Sequence, residues 1–172
     1  VIAIVTSVPA VSVLMTGVAW KADIGSVTYV ADSLSAFLVL VVNVGSVLAA
    51  LYGVRYLADD PYKRSVTEVI LHNVSFVALH AAMIGVLITS DLYSLFFCWE
   101  AMSIASFLLV LLDARQTKER HAALRYVLQM HLGAVGILVA IGLVSVSMGG
   151  VSFAHVHEYA ATHPAWMVLL PL

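Results

Sequence analysis

The sequence predicts an all-α integral membrane protein: a polytopic bundle of five spanning helices followed by the start of a sixth. Three observations carry that expectation. Hydrophobic residues make up 62% of the chain and charged residues 10%, a balance far from that of a soluble domain. Apolar runs recur at about the 20-residue length that an α-helix needs to cross about 30 Å of hydrocarbon. Most of the basic residues are gathered into two of the stretches between those runs.

Taken in order, the first run is 1–20. It contains Pro9, which a membrane helix tolerates better than a soluble one, and it has neither a basic n-region nor a signal-peptide cleavage site. The second, 33–54, follows Asp32, and the fourth, 92–112, follows Asp91. Each carboxylate stands where an N-cap belongs, beside the positive end of a helix dipole. The third run is 69–89 and the fifth 122–147. A sixth, 165–172 onward, begins near Trp166. The whole of 1–172 thus reads as part of one membrane domain with no soluble domain. Val1 is not a start methionine and "WMVLLPL" stops inside an apolar segment, so the expectation is a piece of a longer polypeptide or the ordered part of one.

The connections predict the orientation. Arg55, Lys63 and Arg64 lie in 55–68, and Arg115, Lys118, Arg120 and Arg125 in 113–125. On the other side 21–32 holds only Lys21, while 90–91 and 148–164 hold no Lys or Arg. The positive-inside rule makes the basic side cytoplasmic. Aromatic residues mark both boundaries: Trp20, Tyr29, Tyr93, Tyr159 and Trp166 outside, Tyr52, Tyr56, Tyr62 and Tyr126 inside.

Several function classes fall away. A net charge of -2 argues against nucleic acid as a partner. One cysteine, Cys98, permits no internal disulfide and no zinc pattern. There is no glycine-rich phosphate loop, nucleophile elbow or redox-metal cluster, so no cofactor is expected in this chain. His155, His157, Glu158 and His163 share the outer 148–164 stretch. An H-x-H can bind zinc or copper given a third ligand, but an interfacial amphipathic turn is the plainer reading.

Counting depth along the runs brings out a polar constellation. Glu100 lies about nine residues, or about 13 Å, from the outer end of its helix. His80 lies about eleven residues in from the inner end of the preceding helix, and His131 about nine residues in from the inner end of the following one. Three titratable groups on consecutive helices thus reach the bilayer midplane, with Asn43 at similar depth on the second helix. An acidic residue there costs about 2.5–3.5 kcal/mol, and such residues line ion paths and proton relays. Ser103 falls one turn from Glu100, within reach of its carboxylate, and Asn73 falls on the His80 face. Arg125 lies near the inner surface, where it can snorkel. Gly133, Ala134, Gly136, Ala140 and Gly142 allow close helix approach. The chemistry these residues suit is proton or ion movement.

The stretch "DLYSLFFCWEAMSIASFLLV" resembles the signature helix of the antiporter-like subunits of respiratory complex I. That family includes Mrp-type sodium/proton antiporter subunits and the large membrane subunits of energy-converting hydrogenases and formate hydrogenlyase. "VADSLSAFLVLVVNVGSVLAALYGVRYL" looks like its third helix, "ALRYVLQMHLGAVGILVAIG" like its sixth, and "GGVSFAHVHE" like the loop before the seventh. The His-Leu-Gly of 131–133 leans towards the hydrogenase branch.

The resemblance implies family helices 2 to 6 and the start of 7, within channels built from two inverted five-helix repeats. It implies that Glu100 is the coupling glutamate of the fifth helix, paired with a lysine on a broken seventh helix that would follow Leu172. Proton translocation would then run through Glu100, His131, His80, Arg125 and Ser103. Partners would be other membrane subunits, a peripheral redox arm holding the redox centres, the lipid bilayer, and protons or sodium ions. The location implied is a prokaryotic inner membrane. An Mrp-type antiporter and a non-conducting scaffold are the competing readings.

Overall fold

The computed structural model describes residues 1–25, 27–58, 64–114 and 116–162. Its elements follow the expected order. Helices α1 (Ile2–Thr16), α2 (Ser33–Ala58), α3 (Val66–Ile88), α4 (Leu92–Asp113) and α5 (Thr117–Met148) carry the apolar runs, and a short α6 (Phe153–Thr162) follows. Helices α2 to α5 are each long and apolar enough to cross a membrane. Helix α1 has 15 residues, about 22 Å at 1.5 Å per residue, and is shorter than the 1–20 span expected. Its end is set by Gly17, whose φ of 68° a side chain would disfavour.

Two connections differ from expectation. Residues 21–32 are not a plain loop. Trp20–Ile24 (β1) and Val27–Ala31 (β2) form an antiparallel hairpin with Trp20 opposite Ala31 and Ala22 opposite Tyr29. The β-branched and aromatic run Val27 to Val30 favours a strand, and Gly25, at φ 66°, supplies the turn. The 113–125 stretch, read as a loop, is mostly the first turns of α5, which begins at Thr117. Gln116 and Glu119 form a capping box there, so Lys118, Arg120 and Arg125 ride on a helix. Tyr62, Lys63, Arg115, His163, Trp166 and the expected sixth helix lie outside the described residues.

The two predicted N-caps are present. Ser35 N–H donates to Asp32 Oδ1 at 2.7 Å, and Ser94 N–H to Asp91 Oδ1 at 2.9 Å. Helix α3 starts from a capping box between Ser65 and Glu68.

The bundle packs as sequential neighbours, most extensively α3 on α4, then α1 on α2 and α4 on α5. One apolar cluster joins Ala10 and Val13 of α1, Ala36 and Val39 of α2 and Ile84 of α3. A second joins Leu92 of α4, Ile141 and Val144 of α5 and Tyr159 of α6. Other large apolar side chains, such as Phe97 and Leu132, face outward, as lipid or a neighbouring helix requires.

The two ends of the bundle are tied differently. At the end away from the basic residues the backbone does it: Tyr29 bridges Thr89 and Asp91 bridges Ser152, Leu92 N–H donates to the Val151 carbonyl at 2.8 Å, and the Ser90 hydroxyl donates to the Thr28 carbonyl. At the basic end side chains do it. Asp113 on α4 accepts from the Tyr56 hydroxyl of α2 at 2.8 Å and from Arg64 at 2.5 Å. The Arg64 guanidinium lies over the Tyr56 ring, 5.8 Å from its centroid, with only 3% of its side chain exposed.

Candidate functional site

Glu100 is carried by the middle of α4 and His131 by the middle of α5. The structure brings them together: His131 Nε2 lies 3.3 Å from Glu100 Oε2. The other ring nitrogen, Nδ1, lies 2.8 Å from the Val127 carbonyl one turn earlier on α5. A carbonyl only accepts, so Nδ1 carries a proton. Nε2 can then meet the carboxylate in two ways. Either the imidazole is neutral and Glu100 donates its own proton, or the imidazole is cationic and donates to an ionised Glu100. Both forms hold one proton between Oε2 and Nε2. A proton held at this contact can move across it without changing the net charge of the pair.

The surroundings are asymmetric. The Glu100 side chain is 19% exposed and that of His131 49%, so the imidazole sits on the outward side of the α4–α5 seam. Glu100 Oε1 is buried with no hydrogen-bond partner among the described residues. A carboxylate oxygen desolvated without a partner is costly, and it leaves Glu100 with unused acceptor capacity on the side away from His131.

Not every sequence-predicted residue joins this pair. Ser103 is buried, but its hydroxyl donates to the Trp99 carbonyl at 3.0 Å, so its single proton serves its own helix rather than the carboxylate. Asn73 donates to the Val69 carbonyl at 2.9 Å and stays exposed, separate from His80. His80 does not meet Glu100. Its Nε2 lies 2.9 Å from Asn43 Oδ1, in a cluster with α1 and α2. Arg125 is exposed and lines a cavity of about 490 Å³ with Lys118, His121, Tyr126 and Gln129. The glycines of α5 have open space where a Cβ would stand, so no described helix approaches them.

Ser106, which sequence reasoning passed over, comes forward together with Tyr126, which it placed only at the inner boundary. Ser106 and Tyr126 share a hydrogen bond of 2.9 Å across the same α4–α5 seam. They lie nearer the basic end than Glu100 and His131, about 9 Å further along α4 at 1.5 Å per residue. Tyr126 also lines the Arg125 cavity, so polar groups follow the seam from that cavity towards the pair. The signal was present in the spacing: Glu100 to Ser106 and His131 to Tyr126 run along facing helices in opposite directions. At the opposite end of the bundle His155 Nδ1 lies 2.8 Å from the Ser152 hydroxyl, a helix-start contact. Among the described residues no group of three or more His, Cys, Asp or Glu could hold a metal.

Residues 89–171, which contain both members of the pair, match the family model described as NADH:quinone oxidoreductase/Mrp antiporter, transmembrane. This segment belongs to that antiporter-like membrane family. Curated relatives agree. The provisionally named antiporter subunit mnhD2 of Staphylococcus epidermidis is 32% identical over 137 residues, 79% of this chain and 26% of that protein. Hydrogenase-4 component B of Escherichia coli K12 is 32% identical over 124 residues, 72% of this chain and 18% of that protein. NADH-quinone oxidoreductase subunit L of Neisseria meningitidis is 28% identical over 127 residues, 73% of this chain and 18% of that protein. The chain thus spans about a quarter or less of the length of these relatives. The fold is shared with a chain in the structure of the membrane-bound sulfane sulfur reductase, an archaeal respiratory membrane complex, with a TM-score of 0.70 and 24% identity over 90% of this chain and 32% of that one.

Proposed function

We propose that this chain is the N-terminal part of a proton-translocating membrane subunit in a redox-driven complex of the NADH-quinone oxidoreductase or hydrogenase type, in a prokaryotic inner membrane. Glu100 is its protonatable switch and His131 its relay partner. The observation that carries the reading is the proton-sharing contact between these two side chains at mid-helix, inside the segment that matches the antiporter-like family. A site that can be neutral or zwitterionic at constant net charge suits repeated proton passage through low dielectric, where a net change of charge is expensive.

The free oxygen, Glu100 Oε1, fits a cationic partner such as the lysine that the resemblance implies on a broken seventh helix. The Ser106–Tyr126 bond and the cavity beside Arg125 mark the basic-side approach, and with it the cytoplasmic one. Redox centres belong to a peripheral arm and to neighbouring subunits. Replacing Glu100 by Gln in the full-length protein within its complex tests this, with protons moved and electrons transferred measured together. Translocation should fall while assembly persists, and undiminished pumping per electron would refute the role.

A second reading, an Mrp-type sodium/proton antiporter subunit, is favoured by the 32% identity to mnhD2 over 79% of this chain. Sodium-driven proton movement in vesicles lacking any electron donor would separate it from the first.

A further inference from the structure

Helices α1, α2 and α3 enclose a second polar centre, and its wiring fixes the state of a histidine. The Asn43 side chain, 3% exposed, is the hub. Its Nδ2 lies 3.2 Å from the Ala3 carbonyl, 3.0 Å from Thr6 Oγ1 and 2.8 Å from Ser7 Oγ. A carbonyl accepts only, so the Ala3 contact sets which end of the amide is nitrogen. The other end, Oδ1, is then an acceptor, and it faces His80 Nε2 at 2.9 Å. Nε2 must therefore carry the hydrogen. His80 is the Nε2–H tautomer when neutral, and Nδ1 is its open lone pair.

Nδ1 makes no hydrogen bond to the described residues, and His80 lines a cavity of about 370 Å³ together with Ser46, Phe76 and Val77. Thr6, Ser7, Asn43 and Ser46, the polar groups that α1 and α2 bring to this centre and its cavity, do not titrate. On α4, Glu100 is committed to His131. A proton added at Nδ1 leaves the Nε2–H bond to Asn43 intact, so the ring can load and unload without dismantling the hub.

We infer that His80 is a second proton-binding site, loading at Nδ1 from the cavity between α1, α2 and α3 while Asn43 holds its tautomer. This extends the translocation reading but does not depend on Glu100. The test uses the full-length protein in lipid bilayers with ring-labelled histidine. Nitrogen NMR should show one ring, the one lost in His80→Gln and shifted in Asn43→Leu, as Nε2–H at pH 9 and doubly protonated at pH 5. A ring in the Nδ1–H form, or neutral throughout that range, would overturn the inference.

Gln places its amide nitrogen where Nε2 stands, so His80→Gln keeps the donor to Asn43 and removes only the titration. Proton transport should fall about tenfold in that variant with its melting temperature unchanged. Wild-type transport would assign His80 a packing role and sink the proposal. Should His80→Gln not assemble, the wild-type and Asn43→Leu spectra still decide. Loss in His80→Gln with none in Glu100→Gln would sink the reading of the α4–α5 pair and leave this one standing.

Discussion

Gly85 offers a quantitative test of the α3–α4 interface, the largest in the bundle. A Cβ built there would stand 2.6 Å from Cys98 Sγ and 3.4 Å from Cys98 Cβ. Ordinary carbon–sulfur contact is on the order of 1 Å longer than the first of these distances, so Gly85→Ala forces either a rotamer change at Cys98 or a parting of the helices. Cys98 has one torsion and, on a helix, about two usable wells, which limits the escape. Overpacking of this kind costs about 1–3 kcal/mol. Against it stands the gain of about 1 kcal/mol that Ala holds over Gly inside a helix. Gly85→Ala should therefore destabilise by up to about 2 kcal/mol on these two terms. In a Cys98→Ala background the same substitution should become neutral or stabilising. A double-mutant cycle on thermal unfolding in detergent reads the coupling directly. Additive effects, within about 0.5 kcal/mol, would show that α3 and α4 do not approach at Gly85.

Two further predictions concern the ends of the helices. Asp32→Ala should cost about 1 kcal/mol by removing the acceptor for Ser35 N–H. The same hydrogen bond holds the Asp32 carboxyl below its ordinary value of 3.8. A depressed carboxylate stabilises the fold above the unfolded value and loses that contribution as pH falls through the folded one. The difference between wild type and Asp32→Ala, followed by melting temperature, should thus be full at neutral pH and vanish in acid below that value. At the basic end, Tyr56→Phe removes the hydroxyl that ties α2 to Asp113 and should cost about 1 kcal/mol. Asp113→Asn should cost more, because it also withdraws the charge opposite the buried Arg64. Equal melting of all three proteins would remove the clamp from the account.

The helices were legible because hydropathy fixes both their existence and their depth. The same count placed Glu100 and His131 at one level, and the caps at Asp32 and Asp91 followed from position. Pairing was not legible. Depth alone put His80 beside Glu100, but residues at equal depth can face different neighbours. His80 turns to Asn43 on α2 while Glu100 turns to α5. Ser103 shows a related failure, since a hydroxyl one turn from a carboxylate can also reach the carbonyl of its own helix, here that of Trp99. The 113–125 stretch was misread because charge was equated with a loop. Lys118, Arg120 and Arg125 favour helix as well as Leu does, and a helix end at the water boundary can carry them. The hairpin was missed because a membrane reading treats short polar connections as featureless, although Val27 to Val30 held the strand signal.

Transport by the full-length protein carrying Glu100→Gln, His131→Gln and the double replacement tests the proton-sharing pair most directly. If the two side chains act as one unit, each single replacement should remove most of the translocation and the double should remove no more than either. Losses that multiply in the double variant, or full translocation with Glu100→Gln, would contradict it.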